Sequence, residues 1–242
     1  MRMPFVIGHA AAGGEAPANT LAGVRAALDA GCEAMEIDLQ LCQDGVPVLI
    51  HDTTLDRTTN LSGEVRSTSL AALRAADAGG GEHVPALDEV LDLVAGRLTV
   101  MCELKSTPGD DAQDNRLVAN TLETIERHAA LAWTAVHSFS PQIVAWSRER
   151  QPRLSAAIIS PAVAGEDFER LLAAALKHGA QAISIHHSAV DSGLVRRAKQ
   201  RQLTLWTWTP DTEEDWQPCI DAGVDGIITN YPHRLRTFLD GR

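Results

Sequence analysis

Short apolar runs alternate with amphipathic helical stretches from one end of this chain to the other. Nine strand candidates lie at residues 5–8, 34–41, 46–50, 98–104, 132–138, 154–159, 182–185, 203–209 and 226–229. Helix candidates lie between them at residues 20–30, 70–76, 87–95, 115–128, 141–150, 166–178, 193–200 and 215–222. Because strands and helices alternate over the whole length, the pattern predicts a parallel α/β fold.

One junction in this pattern departs from the rule. Only residues 42–45 separate the second and third strand candidates, and a parallel crossover needs a dozen or more residues. The pair Asp44-Gly45 is typical of a two-residue type I′ hairpin turn, so the third strand should fold back antiparallel on the second. Eight parallel strands then remain.

Eight strand–helix units in 242 residues predict a (β/α)8 TIM barrel. No Pro/Gly/Ser-rich linker divides the chain, so we expect a single domain over residues 1–242. It would carry a short β-hairpin arm and a small, polar insertion at about residues 52–85, after the second strand. The alternative is an open doubly wound sheet, which needs a glycine-rich phosphate turn after the first strand. Gly13-Gly14 resembles such a turn only faintly.

The composition excludes several classes of partner. A net charge of −11 argues against a nucleic acid or an anionic membrane, since both attract clustered Lys and Arg. No apolar run reaches the roughly 18–20 residues that span a bilayer, so no membrane insertion is expected. The apolar stretch from Phe5 to Ile7 is too short for a signal peptide. Scattered cysteines without a CxxC pair predict buried thiols in a cytoplasmic protein. The oligomeric state stays open, a homo-oligomer included.

Polar residues cluster where the predicted barrel strands end, the face on which such barrels carry their chemistry. His9 ends the first strand, Glu36 and Asp38 lie near the end of the second, and Glu103 and Lys105 follow the fourth apolar run. The i, i+2 spacing puts each pair on one face of its strand. Three carboxylates in one barrel mouth repel one another unless they are neutralised. One divalent cation, Mg²⁺ or Ca²⁺, is the natural partner of such an all-oxygen set.

A second histidine is expected to reach the same place through the hairpin. If Asp44 and Gly45 are the turn residues, Gln43 pairs with Val46, and counting outward places His51 opposite Asp38. His9 and His51 would then flank the metal. An imidazole pKa of about 6.5 suits both for proton transfer near neutral pH.

These residues belong to a series of motifs. The most specific is EIDLQLCQDGVPVLIHDTTLDRTTNLSGEV, residues 36–65, and VPALDEVLDLV, CELK, HSFS, WTPD and DGIITNYP follow it in order. With these motifs the chain resembles the glycerophosphodiester phosphodiesterase family of bacterial, cytosolic type, from His9 to Leu235. The resemblance implies a TIM barrel and a metal-dependent hydrolase that cleaves small glycerophosphodiesters to glycerol 3-phosphate and an alcohol.

The resemblance also implies roles for individual residues. Glu36, Asp38 and Glu103 correspond to the metal ligands of the family, His9 and His51 to its general acid and base, and Lys105 to a phosphate-binding lysine. Which histidine is the acid is left open. Trp208 corresponds to an aromatic residue near the substrate, and filling the barrel is an equally good interpretation of it.

The chain departs from the family pattern at two positions. The family has an arginine that contacts the phosphate where this sequence has Ala10, and a glutamate where it has Ala18. We infer that the two missing side chains form an ion pair, so that losing both leaves the charge count unchanged. The alternative to an active enzyme is therefore an impaired member that binds metal and a phosphodiester or polyol. A barrel with no ligand is a third class. Thr20 or Asn19 is expected to be the N-cap of the first helix.

Overall fold

The computed structural model describes residues 3–242. Its strands are β1 (Phe5–Gly8), β2 (Ala34–Leu41), β3 (Pro47–Leu49), β4 (Thr99–Leu104), β5 (Thr134–Ser138), β6 (Ser155–Ser160), β7 (Ala182–His186), β8 (Thr204–Trp208) and β9 (Gly226–Thr229). Its helices are α1 (Leu21–Asp29), α2 (Leu70–Ala75), α3 (Leu87–Val94), α4 (Asp111–Arg127), α5 (Pro141–Arg150), α6 (Gly165–Lys177), α7 (Ser192–Gln200), α8 (Glu213–Ala222) and α9 (Pro232–Asp240).

The parallel strands close into a ring. β1 pairs in parallel with both β2 and β9, and the other parallel strands join them in the order β9-β8-β7-β6-β5-β4-β2. Closure leaves the eight parallel strands without a free edge. β3 lies outside the ring, antiparallel to β2. The predicted (β/α)8 barrel with a hairpin arm is confirmed.

The interior of the barrel is apolar in its middle layer and polar toward the carboxyl ends of the strands. Five residues from five strands form a buried apolar cluster against which Trp206 and Trp208 pack: Ile7, Ala34, Met101, Ala135 and Ile228. Side chains two residues further along a strand point to the same side. Two residues after each member of this apolar cluster, toward the carboxyl end of the strand, stands a polar residue: His9, Glu36, Glu103, His137 and Asn230.

The hairpin has a different turn from the one predicted. Cys42 N–H donates to the Val46 carbonyl at 3.1 Å, and Gly45, at φ +75°, is the loop residue with a positive φ. The loop therefore has three residues and ends in a left-handed glycine, not the two residues of a type I′ turn. The extra residue shifts the register by one. Ile50, rather than His51, lies opposite Asp38, and its N–H donates to the Asp38 carbonyl at 3.0 Å.

Two helices differ from the sequence expectation. α9, the helix that follows the last barrel strand, was not predicted, although Pro232 stands in its first turn and Leu235 and Leu239 share its buried side. Its many polar residues mask this short apolar stripe. α4 begins four residues before the predicted start, because Asp110 accepts a hydrogen bond from Gln113 N–H and caps it there.

The segment from residue 52 to 85 carries α2 and packs on a small apolar cluster shared with the hairpin. That cluster comprises Cys42, Val48, Ile50, Leu55, Val65, Leu73 and Val84. The segment therefore stands on its own buried contacts beside the barrel mouth, in the position expected for the insertion. Among residues 3–242, no helix combines the length and the apolar character that crossing a bilayer requires.

Gly8 gives a sharp test of the close packing beneath the site. A Cβ at this position would lie 1.8 Å from the carbonyl oxygen of Ala11, a backbone atom that cannot rotate away. We expect G8A to lower the free energy of unfolding by about 3 kcal/mol, the upper range for overpacking. Urea denaturation followed by circular dichroism measures this loss.

The matched control for this test is Gly241, near the end of the chain. Its nearest neighbour, the Thr237 carbonyl oxygen, would lie 3.6 Å from an added Cβ, an ordinary contact. G241A should change stability by no more than about 0.5 kcal/mol. Equal stability of the two variants would show that the turn after β1 is looser than described.

Candidate active site

A cavity of about 250 Å³ opens at the carboxyl ends of the barrel strands. It is lined by His9, Glu36, His51, Glu103, Lys105, His137, Phe139, Ile159, Ser184, Trp208 and Ile228. Six of the seven residues singled out from the sequence are among them. Asp38, the seventh, lines an adjoining cavity that shares His9 and His51 with the first.

Asp38 is buried and has one hydrogen-bond donor, Asn19, and one ion-pair partner, Lys105. The Asn19 amide donates to its Oδ2 at 2.7 Å, and the Lys105 ammonium lies 2.6 Å from its Oδ1. Asn19 also accepts the Asp38 N–H at 3.0 Å. Asn19 is therefore a site residue and not a helix cap. The cap of α1 is Thr20, whose side chain accepts from Gly23 N–H.

Lys105 bridges two carboxylates. Its Nζ lies 2.5 Å from Glu103 Oε1 as well as 2.6 Å from Asp38, and its side chain is 16% exposed. Burial alone would lower the pKa of this lysine, but the three carboxylates around it, led by Asp38, outweigh burial and raise the pKa. Lys105 is therefore a fixed positive charge at neutral pH.

The pKa values of the other carboxyl groups, Glu36 and Glu103, shift in opposite directions. Burial disfavours the charge of Glu36, but the neighbouring imidazoles of His137 and His9 outweigh it and hold the pKa of Glu36 at about 2. For Glu103, burial is the stronger influence and raises the pKa in spite of Lys105. Glu36 is thus ionised throughout the physiological range.

His9 is held by two residues from the far end of the chain. Asn230 Nδ2 donates to Asp211 at 2.7 Å, so its Oδ1 faces His9 Nδ1 at 2.8 Å and can only accept. His9 Nδ1 therefore carries a proton, and Nε2 lies 4.0 Å from Glu36 Oε2. Burial lowers the pKa of His9, but Glu36 and the Asn230 hydrogen bond outweigh burial and raise it.

His51 is oriented by a different device. Its Nδ1 lies 2.7 Å from Asp52 Oδ1, and Arg57 donates to both Asp52 oxygens. The Arg57 guanidinium, helped by His51, outweighs the effect of burial and holds the pKa of Asp52 well below its usual range. The Gln40 amide holds the backbone carbonyls of the His51 segment. Side-chain exposure is 53% for His51 and 30% for His9.

Trp208 forms one wall of the cavity. Its ring meets Phe139 edge to face at 5.6 Å and His186 at 5.0 Å between ring centres. The indole N–H donates to the Ser184 carbonyl at 3.3 Å. Trp208 therefore both packs on the barrel interior and presents a surface to the cavity.

The donor set fits a divalent cation. Glu36, Glu103 and His137 each offer one ligand atom, and these atoms lie within 4.8 Å of one another. Glu36 Oε1 and both His137 nitrogens are buried without a hydrogen-bond partner. A buried polar atom without a partner costs about 1–3 kcal/mol in stability, so a cation bound at this point would remove that cost.

Sequence reasoning passed over three residues of this site. His137, Asn230 and Asp211 lie within the motifs HSFS, DGIITNYP and WTPD, and the sequence predicts no separate role for any of them. For His137 and Asn230 the signal was available, since each lies two residues after a buried apolar residue of a barrel strand. Asp211 lies in a loop, and nothing in the sequence links it to a residue 19 positions away.

The buried charges predict a strong effect of removing Lys105. K105M would leave Asp38 and Glu103 without their cation, and breaking a buried ion pair from one side costs about 3–5 kcal/mol. We expect that loss in the free energy of unfolding, measured by urea denaturation in EDTA. K105M/E103Q should recover part of it, because one of the two stranded charges is gone.

An exposed pair supplies the control. Arg66 lies 2.7 Å from Glu64, with both side chains at least half exposed, and such pairs contribute about 0–1 kcal/mol. R66M should therefore be nearly neutral. A K105M variant as stable as R66M would show that the carboxylates at the barrel mouth do not depend on this lysine.

Comparisons with known proteins agree with this geometry. The sequence model of the glycerophosphoryl diester phosphodiesterase family matches residues 9–234. A glycerophosphodiester phosphodiesterase of Caldanaerobacter subterraneus subsp. tengcongensis is 30% identical over 243 residues, which cover 96% of each chain. A glycerophosphodiester phosphodiesterase of Bacillus subtilis is 27% identical, over 94% of this chain and 84% of that protein.

Solved structures extend the likeness to the fold. A candidate glycerophosphoryl diester phosphodiesterase from Silicibacter pomeroyi superposes with a TM-score of 0.90 at 32% identity, over 99% of this chain and 94% of that one. An Oleispira antarctica phosphodiesterase, solved with the product sn-glycerol-3-phosphate, has a TM-score of 0.88 at 26% identity, over 98% and 97% of the two chains. The family match begins at His9 and runs through every later barrel strand, so this chain belongs to the glycerophosphodiester phosphodiesterase family, whose members are phosphodiester hydrolases.

Proposed function

We propose that this chain hydrolyses glycerophosphodiesters to glycerol 3-phosphate and an alcohol by histidine acid–base catalysis with one divalent cation. One observation carries the proposal. Three imidazoles, two carboxylates and a lysine line a single cavity at the mouth of the barrel. This combination offers proton transfer, cation binding and neutralisation of a phosphate in one place. The substrate is a small molecule, in keeping with the cavity volume of about 250 Å³.

Glu36, Asp38 and Glu103 would hold the cation, and Lys105 lies between the last two of these carboxylates. Mg²⁺ or Ca²⁺ is the ion that carboxylate oxygens alone favour. When bound, the cation supplies Lewis-acid stabilisation of the charge on the phosphate oxygens.

The two histidines divide the proton transfers. Each has Nδ1 tied to a neighbour, His9 to Asn230 and His51 to Asp52, so each has Nε2 available for proton transfer. One Nε2 takes the proton from the attacking oxygen of water or of a substrate hydroxyl. The other gives its proton to the leaving oxygen as the phosphorus–oxygen bond to the alcohol breaks. Such transfers each contribute about 10²–10⁴-fold in rate.

Lys105 and Trp208 complete the machinery. The Lys105 ammonium would offset charge on the non-bridging oxygens of the phosphate. Trp208 and Phe139 offer an apolar wall for the carbon skeleton of one alcohol arm. We also propose a cytoplasmic location, supported by four free, buried cysteines: Cys32, Cys42, Cys102 and Cys219.

Ala10 and Ala18 favour a second candidate, a member that binds metal and a phosphodiester or polyol with little turnover. Both line the adjoining cavity of about 250 Å³. A Cβ on Gly13 would lie 3.4 Å from the Cβ of Ala10 and 3.2 Å from that of Ala18. The two alanines are therefore neighbours, as an ion pair in the relatives would require. Arg57 also lines this cavity and brings one guanidinium toward the same space.

Turnover of glycerophosphocholine tests the first candidate. Glycerol 3-phosphate release, followed by a coupled dehydrogenase assay, should require a divalent cation and stop in EDTA. H9A and H51A should each lower kcat by about 10²–10⁴-fold, because each removes one proton transfer.

H178A is the matched histidine control, since His178 caps the end of α6, away from the barrel mouth. It should keep full activity. If calorimetry shows metal and glycerol 3-phosphate binding while no product forms, the second candidate is correct.

Restoring the two family side chains tests the coupling between positions 10 and 18. A10R/A18E should raise kcat/KM by as much as about 10²-fold, the lower range for one oxyanion donor. A18E alone should help little or reduce the rate, since Ala18 is exposed and a lone carboxylate there repels an anionic substrate without adding a phosphate ligand. Steady-state kinetics on all four chains measures the coupling. Independent gains from both single substitutions would refute the ion-pair interpretation.

A further inference from the structure

The cavity beside Ala10 and Ala18 has one permanent positive charge in its wall. Among the described residues that line it, Arg57 is the single Lys or Arg side chain. His9 and His51, the histidines of the proposed proton transfers, line the same cavity. The guanidinium of Arg57 thus adjoins the space that the family arginine at position 10 would enter.

Arg57 is held along one edge by a single carboxylate. Its Nε and Nη2 donate to the two oxygens of Asp52. A guanidinium carries five N–H groups, so this pairing leaves both hydrogens on Nη1 and one on Nη2. No acceptor within residues 3–242 takes these three, and the side chain is 63% exposed. One complete fork, Nη1 with Nη2, is therefore available to a ligand while Asp52 fixes the other edge.

The charge of Arg57 also belongs to the electrostatic environment of the barrel mouth. The hydrogen bonds to Asp52 outweigh burial and raise the pKa of Arg57, and the charges of Asp52 and Asp38 act in the same direction. Arg57 is therefore near enough to Asp38 to respond to its charge. By the same argument, an anion bound at the barrel mouth would be attracted by Arg57 as well as by Lys105.

We propose that Arg57 is the phosphate-binding arginine of this chain and replaces the side chain that is missing at position 10. A guanidinium fork matches two phosphate oxygens, and such bidentate, charge-assisted contacts are short and strong. The inference rests on the phosphodiester substrate of the proposed function, but not on turnover. The loss of the family arginine would then weaken phosphate recognition without abolishing it.

The test has to separate a phosphate contact from the support that Arg57 gives His51 through Asp52. It therefore uses H51A, in which that support has nothing to act on, and it measures binding instead of turnover. Isothermal titration calorimetry with glycerol 3-phosphate, on the full chain in Mg²⁺, compares H51A with H51A/R57Q. We expect about 10–100-fold weaker binding by the double variant, the factor for a lost hydrogen bond to a charged group.

H51A/R74Q is the matched control. Arg74 is another arginine of the insertion, paired with Glu89 at 3.0 Å, and it lines neither cavity of the barrel mouth. R74Q removes the same charge as R57Q, so H51A/R74Q should bind glycerol 3-phosphate as H51A does. Equal binding by H51A/R57Q and H51A/R74Q would overturn the proposal.

A second variant keeps the test decisive if R57Q does not fold. R57K retains the ion pair with Asp52 but has no fork to offer two phosphate oxygens. H51A/R57K should therefore also bind glycerol 3-phosphate more weakly than H51A, and unchanged binding would refute the phosphate contact.

Restoring the arginine at position 10 tests the replacement itself. In A10R/A18E, the substitution R57Q should weaken binding of glycerol 3-phosphate less than it does in the unmodified chain, because the restored guanidinium binds the phosphate. An equal loss in both backgrounds would show that Arg57 does not replace the missing side chain. Binding that depends on Arg57, without any turnover of glycerophosphocholine, would refute the proposed hydrolysis and leave the assignment of Arg57 standing.

Discussion

The main constraint on this structure is electrostatic: three carboxylates lie inside the mouth of a closed barrel, and their mutual repulsion has to be balanced. Lys105 is the solution that the chain itself supplies, because its ammonium lies between Asp38 and Glu103. Three carboxylates and one ammonium still leave a formal charge of −2 at the barrel mouth, and Glu36 is the carboxylate that the lysine does not touch. One divalent cation beside Glu36 would balance the whole cluster. The same electrostatic requirement thus accounts for the buried lysine and for the expected metal.

The barrel geometry determines which residues can meet at this point. In each strand the side chain two positions beyond the buried apolar layer points inward at the rim, so five strands deliver His9, Glu36, Glu103, His137 and Asn230 to one space. The sequence was sufficient for the strands and for the carboxylate pairs, because a period of two is visible in short apolar runs. The same period would have found His137 inside the fifth strand candidate and Asn230 one residue past the ninth. Asp211 could not be found this way, since its contact with Asn230 depends on how a loop folds back.

The register of the hairpin shows a different limit. Whether the loop has two residues or three depends on the backbone of Asp44 and Gly45, and both turns accept the same Asp-Gly pair. The sequence therefore predicts correctly that the hairpin returns His51 to the site. The predicted strand pairing is wrong by one position, since Ile50 and not His51 lies opposite Asp38. His51 still lines the cavity because it lies beyond the end of β3, where the Gln40 amide and Asp52 hold it instead of the ladder. A residue freed from the strand alternation is not required to point to one side or the other.

This difference in support has a consequence for the two histidines. His9 is fixed by a partly buried chain of hydrogen bonds through Asn230 to Asp211, whereas His51 depends on an exposed Asp52–Arg57 pair at the edge of the insertion. The support of His9 on the barrel side is therefore less exposed to solvent than the support of His51 on the insertion side. Ala10 and Ala18 lie on the boundary between these two sides. Because replacing an arginine and a glutamate together leaves the formal charge of −2 unchanged, cation binding need not suffer when phosphate binding does. Under the proposed function the two properties would be separable, and the two departures from the family pattern would act on phosphate recognition alone.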